Sequence, residues 1–149
     1  MEKYALVFVH RYNSETSNWS KVVFGLGGRE GRLCTARRLA REFNLPIVAN
    51  DGLDARNRAC YAPHGIENIG TARYTYDEVV SALVRSGPGR ILFVSSPDHL
   101  PRVVRDAMAA GAAGSLFAAS EVAFSQAGAA GVSIGEPPHA KERRQSHDG

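Results

Sequence analysis

The stretch of sequence that decides the fold is RILFVSSPDHLPR, residues 90–102. Four consecutive apolar residues, 91–94, have the pattern of a strand that is covered on both faces of a sheet. Ser96 is a good N-cap, Pro97 suits the first helical position and Asp98 favours the first turn. Apolar residues then recur at helical spacing from Val103 onward. The stretch therefore predicts a buried strand that runs through a tight turn into a helix, as in an α/β sheet.

The polar residues of this junction are the first candidates for a functional site. Ligands of open α/β sheets bind outside the carboxyl ends of the strands, and free N–H groups at a helix start suit anions. Ser95, Ser96, His99 and Arg102 lie at that position in the sequence. A capped helix with polar surface residues would explain the local pattern equally well.

The same junction resembles a known family. Its residues VSSPDHLPR are similar to the V-T-S-x-x-H-x-x-R segment of the YdcF-like family, which includes SanA and ElyC. Upstream, Glu67 and Thr71 resemble that family's E-x-x-S-x-N-T-x-E-N segment, with Tyr74 where the family usually has Asn. Gly25, Gly27 and Gly28 resemble its glycine-rich turn after a strand. The resemblance covers about residues 22–111.

Together with the resemblance, the polar residues imply a cleft for a phosphorylated or otherwise anionic small molecule. His99 is predicted to be the acid/base residue, because imidazole titrates near neutral pH, and Glu67 to assist it. S-adenosylmethionine binding is known within the resembled family, which makes this molecule a candidate cofactor. The predicted ligand-binding residues come from strand ends, the glycine turn and helix starts: Gly27, Gly28, Arg29, Asn50, Thr71, Ser95, Ser96 and Arg102.

Composition narrows the classes of protein and of partner. The 149 residues, 44% of them hydrophobic, predict one α/β domain over residues 1–137 and a disordered tail over 138–149. No apolar run approaches the roughly 18 residues that span a bilayer, and no signal peptide is evident, so the sequence predicts a cytoplasmic protein with no membrane partner. The histidines lack metal-ligand spacing, and the two cysteines are expected to be reduced.

The net charge of +3 includes a basic segment, residues 29–42, with five arginines and two glutamates. Such a segment could attract an anionic ligand or nucleic acid. No interleaved aromatic residues or nucleic-acid motif accompany it. The favoured interpretation of these arginines is therefore that they form the solvent-exposed face of an amphipathic helix.

The remaining elements predict a three-layer, mostly parallel, Rossmann-like sheet with helices on both faces. A second strand is expected at 21–26, either antiparallel to the first or preceded by a helical turn. The predicted strands are 4–9, 21–26, 46–50, 91–94, 115–119 and 132–134, and the predicted helices are 31–44, 71–86, 97–111 and 121–130.

The long polar stretch 53–70 is predicted to be a lid over the cleft, or to contain a short helix at 54–62. Gly52, Gly65 and Gly70 could act as its hinges, and Arg58 and His64 are the residues expected to reach inward. A rigid loop packed away from the cleft is the alternative.

The sequence thus favours an enzyme, either a transferase or a hydrolase that acts on an anionic metabolite. The alternative is a non-catalytic module that binds a nucleotide or S-adenosylmethionine, or a partner subunit. A serine hydrolase does not fit, because there is no G-x-S-x-G elbow.

Overall fold

The computed structural model describes residues 3–112 and 114–127. A 3₁₀ turn (Ala62–His64) lies between a helix, Ala55–Tyr61, and a strand, Ile66–Asn68. In chain order the other elements are β1 (Tyr4–Val9), α1 (Trp19–Val23), β2 (Gly25–Leu26), β3 (Arg29–Glu30), α2 (Arg32–Phe43), β4 (Ile47–Ala49), α3 (Ala55–Tyr61), β5 (Ile66–Asn68), α4 (Thr75–Ser86), β6 (Arg90–Ser95), α5 (Leu100–Ala110), β7 (Leu116–Ala119) and α6 (Phe124–Ala127).

Five of the described strands form one parallel sheet in the order β5-β4-β1-β6-β7. From the central strand β1 the chain first builds one side of the sheet, β4 and β5, and then crosses to build the other, β6 and β7. The strand order therefore reverses between β1 and β6. This switch point is where open α/β sheets leave a crevice at their carboxyl edge.

Helices cover both faces of the sheet, so the predicted three-layer α/β fold is confirmed. On one face Val7 and Val9 of β1 pack with side chains of α1, α2 and α3. On the other face Leu6 and Phe8 pack with side chains of α4 and α5. The side chains of β1 point alternately to the two faces of the sheet, and each face has its own hydrophobic core. Both sets of side chains are therefore buried, which is why the sequence of β1 is continuously apolar.

The predicted strand at 21–26 is wrong. Residues 19–23 form α1, because Trp19, Val22 and Val23 recur at helical spacing and all three are buried. Leu26 lies in a two-residue strand whose partner is β3, outside the main sheet. The sequence left open a helical turn in the loop before this strand, whereas the observed helix begins at the end of that loop and replaces the first part of the predicted strand.

The stretch 53–70 contains α3, the 3₁₀ turn and β5, so it does not form one lid. The predicted short helix is confirmed as α3, with Asp54 as its N-cap. The last part is β5, which pairs with β4 as an edge strand of the sheet. Only the part around residues 52–56 borders the cleft described below.

Two helices begin later than predicted. The helix expected from residue 71 begins at Thr75, and the helix expected from Pro97 begins at Leu100, after a turn in which the N–H groups of His99 and Leu100 bond to the Ser96 carbonyl. The expected strand 132–134, the tail 138–149 and the end of the helix 121–130 lie outside the described residues.

Candidate functional site

A cleft of about 710 Å³ opens at the carboxyl edge of the sheet, beside the switch point. Its walls are residues 11–16 after β1, residues 52–56 before and within α3, and the first turns of α4 and α5. It lies where a parallel α/β sheet is expected to bind its ligand.

The cleft is rich in positive charge. Five arginines line it, against three carboxylates, those of Glu15, Asp54 and Glu78. The arginines come from five separate places in the sequence: Arg11, Arg32, Arg56, Arg73 and Arg102. Guanidinium groups form paired hydrogen bonds to carboxylate and phosphate oxygens, so this lining suits an anion.

Arg32 fixes the floor of the cleft between β1 and β6. The residue is only 2% exposed, and its Nε donates to Ser96 Oγ at 2.7 Å. One terminal nitrogen donates to the carbonyls of His10 and Arg11 at 3.2 and 2.9 Å, and the guanidinium lies 5.1 Å from the centre of the Tyr12 ring. These contacts tie the start of α2 to both strands of the switch point.

A buried histidine–glutamate pair lies on the other side of that point. His10 directly follows β1, and its Nδ1 is 2.8 Å from Glu78 Oε1 of α4. The second carboxylate oxygen accepts the Arg11 N–H at 3.3 Å. A carboxylate on one imidazole nitrogen fixes the orientation and tautomer of the ring, as in many acid/base sites.

His99 lies at the first turn of α5 and lines the cleft, although only 8% of the residue is exposed. Its Nε2 is 3.3 Å from Thr75 Oγ1 of α4. Its ring centre lies 6.2 Å from that of His10, so two imidazoles from different strand ends meet here.

Asp54 links the two loops of the cleft. Its carboxylate accepts hydrogen bonds from the N–H and O–H groups of Ser14 and from the amides of Arg56 and Asn57. Burial is the largest influence and acts to raise the pKa of Asp54, but these hydrogen bonds together outweigh it and hold the pKa below its ordinary value.

Four residues predicted from the sequence lie at or directly beneath the cleft. His99 and Arg102 line it, and Ser96 bonds to Arg32 in its floor. Ser95, the last residue of β6, is completely buried.

The other predicted site residues do not line the cleft. Glu67 is exposed on β5, where its carboxylate pairs with Arg85 at 2.8 Å. Asn50 is buried, with its amide nitrogen donating to Ser81. Thr71 is exposed in the connection before α4. Neither of the two residues expected to reach inward, Arg58 and His64, is among the lining residues; Arg58 pairs with Asp51.

The glycine turn also lies apart from the cleft. Gly27 and Gly28 form the turn between β2 and β3, and both have positive φ angles, 57° and 84°. Arg29 donates to the Glu121 carbonyl at 3.1 Å. The two glycines therefore form the tight turn of a β-hairpin. This turn requires positive φ angles, which glycine adopts without strain.

Sequence reasoning missed His10 and Glu78, although a signal for each existed. His10 follows an apolar strand directly, by the same rule that selected Ser95 and Ser96 after β6. The buried residues of α4 recur at helical spacing and form one face of the helix: Thr75, Glu78, Val79 and Ala82. The carboxylate of Glu78 therefore lies on the buried face of the helix, where a charged group is unexpected.

No family model matches the chain, and neither the curated proteins nor the solved structures contain a significant match to it. Over residues 3–112 and 114–127, no group of three or more metal-ligating side chains is placed to hold a metal ion. Within those same residues, no helix is long and apolar enough to cross a membrane.

Proposed function

We propose that this protein is an enzyme, a transferase or hydrolase, that acts on a phosphorylated or otherwise anionic small metabolite in the cleft. The observation that carries the proposal is the set of five arginines around a 710 Å³ cleft at the switch point of the sheet. A small metabolite fits a cleft of this volume, and the arginines supply bidentate partners for its anionic group.

In this proposal Arg102 and Arg11 hold the anion, and His99 transfers the proton. His99 and Arg102 are one helical turn apart at the start of α5, so both can reach the same bound molecule. They are also two of the residues that carry the resemblance to the YdcF-like family, and we propose kinship with that family on this ground. Glu67 has no part in this mechanism, because it lies outside the cleft.

The test of anion binding uses inorganic pyrophosphate as the probe, measured by calorimetry. Arg102→Gln is expected to weaken binding about tenfold, equivalent to about 1.4 kcal/mol, through loss of a charged hydrogen-bonding partner. Arg41→Gln is the matched control, because Arg41 is exposed on α2 outside the cleft. If Arg102→Gln and Arg11→Gln both bind pyrophosphate as the native protein does, the cleft is not the anion site.

The test of catalysis is a screen of phosphate esters for release of inorganic phosphate. For any ester that is hydrolysed, His99→Gln is expected to lower kcat about a hundredfold or more, because proton transfer is lost. An unchanged kcat would remove His99 from the proposed mechanism.

A second candidate function is a non-catalytic module that binds a nucleotide or S-adenosylmethionine. Three aromatic residues line the cleft beside the arginines, and flat rings stack well on such side chains: Tyr12, Tyr74 and Phe124. Tyr74 stands where the resembled family usually has Asn. A nucleotide or S-adenosylmethionine that raises the melting temperature and is recovered unaltered after long incubation would favour this function.

A further inference from the structure

Two buried polar atoms at the switch point have no hydrogen-bond partner among the described residues: His10 Nε2 and Ser95 Oγ. His10 is 2% exposed and Ser95 is completely buried. An unsatisfied buried polar atom costs about 1–3 kcal/mol, so such atoms normally have a partner such as a bound water.

The two atoms belong to neighbouring residues of the same face. Phe8 of β1 pairs with Phe93 of β6, and both side chains pack under α4 and α5. Ser95 lies two residues after Phe93 in β6, and His10 lies two residues after Phe8, just past the end of β1, where its N–H bonds to the Val94 carbonyl at 2.9 Å. Alternation continued by one residue therefore places both side chains on that face, on neighbouring segments about 4.8 Å apart.

The opposite nitrogen of His10 already has a partner. An ionised carboxylate only accepts hydrogen bonds, so a contact between His10 Nδ1 and an ionised Glu78 places a proton on Nδ1. In the neutral ring, Nε2 is then left as a proton acceptor. Two arginines also contact this region, since the Arg11 N–H bonds to Glu78 and Arg32 bonds to the His10 carbonyl.

The nearest imidazole is that of His99, which lines the cleft. The ring centres of His10 and His99 are 6.2 Å apart, a separation that one water molecule can bridge. His99 therefore lies between the buried histidine–glutamate pair and the space in which the ligand is proposed to bind.

We propose that Glu78, His10 and His99 form a proton relay, in which a water held by His10 Nε2 and Ser95 Oγ connects the two imidazoles. His99 is the catalytic residue, and His10, Glu78 and Ser95 are positioning residues that act through it. The inference rests on the proposed function, because it assigns a proton route to the same cleft.

The relay moves one proton and no electrons. The protonated His99 gives its proton to the water, and the water passes a proton to His10 Nε2. His10 becomes an imidazolium, and the Glu78 carboxylate stays ionised and balances its charge. Reversal of these steps returns the proton to His99.

The relay is tested by the rate at which the His10 ring gains and loses its proton. The full chain is labelled with carbon-13 in its histidine rings, and relaxation dispersion is recorded at the midpoint of the His10 titration. The rate is expected to fall at least tenfold in Ser95→Ala, which removes the hydroxyl that holds the water, and in His99→Gln, which removes the other imidazole.

His64 is the internal control, because its Nδ1 bonds to the Cys60 carbonyl and the residue does not line the cleft. Its rate is expected to be the same in all three proteins. A His10 rate in either variant within twofold of the native rate overturns the relay. The native ring is also expected to be the Nδ1–H tautomer when neutral, and a nitrogen-15 spectrum of the Nε2–H tautomer likewise overturns it.

No ligand enters this experiment, so its failure is distinct from failure of the proposed function. A relay that fails while pyrophosphate still binds leaves the anion site intact. A relay that is present without pyrophosphate binding would show proton transfer in a cleft that takes another ligand.

Discussion

Asp51 is a buried carboxylate that joins three parts of the chain through its hydrogen bonds. It accepts from Arg58 Nε at 2.8 Å, from the Leu53 N–H at 2.8 Å and from Asn68 Nδ2 at 3.0 Å. Burial is the largest influence on Asp51 and acts to raise its pKa. The hydrogen bonds and the charge of Arg58 outweigh burial, so the pKa lies below its ordinary value of 3.8.

Asp51→Asn is expected to lower the free energy of unfolding at pH 7 by about 2 kcal/mol, because a charged hydrogen-bond acceptor is lost. A depressed pKa in the folded state adds stability above the pKa of the unfolded chain, and this stability is lost as pH falls through the folded value. The difference between the two proteins should therefore shrink as pH falls below about 4. Urea unfolding at a series of pH values measures it.

Glu15→Gln is the matched control for this substitution, because Glu15 is exposed and its loss should cost no more than about 0.5 kcal/mol. Equal stability of Asp51→Asn and the native protein at pH 7 would contradict the role assigned to these hydrogen bonds.

Elements could be predicted from the sequence where a continuous apolar run or a helical stripe was long enough. β6 was predicted because all of its middle residues are buried on both faces. β5 was not, because it has three residues and only Ile66 is buried. A single buried residue leaves no periodic pattern, so pairing with β4 decides this strand.

Because β5 belongs to the sheet, the part of the predicted lid that can respond to a ligand in the cleft is the part that lines it, around residues 53–56. Addition of pyrophosphate is expected to slow amide hydrogen exchange in residues 11–16 and 52–56, which line the cleft, and to leave β5 unchanged. Hydrogen exchange with detection by mass spectrometry measures this. Arg102→Gln at the same pyrophosphate concentration should show a smaller change in both segments, because it binds the probe about tenfold more weakly.

Slower exchange across the whole of residues 53–70 would instead support a lid that includes β5. Leu53 is of interest within the smaller segment, since it has a φ of 63° and is 64% exposed at the cleft. Such backbone conformations are uncommon for leucine, and they are enriched at functional sites.

At the scale of the whole molecule, the arginine cluster explains why the site could be predicted only in part. The five arginines follow β1, begin α2, enter α3, precede α4 and lie in α5, so only the fold brings them together. No local spacing connects Arg11 with Arg102, so only Arg102 could be predicted from the sequence. That the cleft lies at the carboxyl edge of the sheet could be predicted, because this depends on parallel strands and not on individual side chains.

The positive charge of the molecule belongs to the part that builds the cleft. Residues 128–149 contain three basic and three acidic residues, so the net charge of +3 resides in residues 1–127.

Binding of pyrophosphate should therefore weaken as salt rises, because the Debye length falls from about 10 Å at 0.1 M to about 3 Å at 1 M. We expect the Kd to rise at least fivefold between 0.05 and 0.5 M sodium chloride in calorimetry. Arg102→Gln should show a smaller rise, since it has one cleft charge fewer, and Arg41→Gln should follow the native protein. A Kd independent of salt would mean that neutral hydrogen-bond donors, and not the arginines, hold the anion.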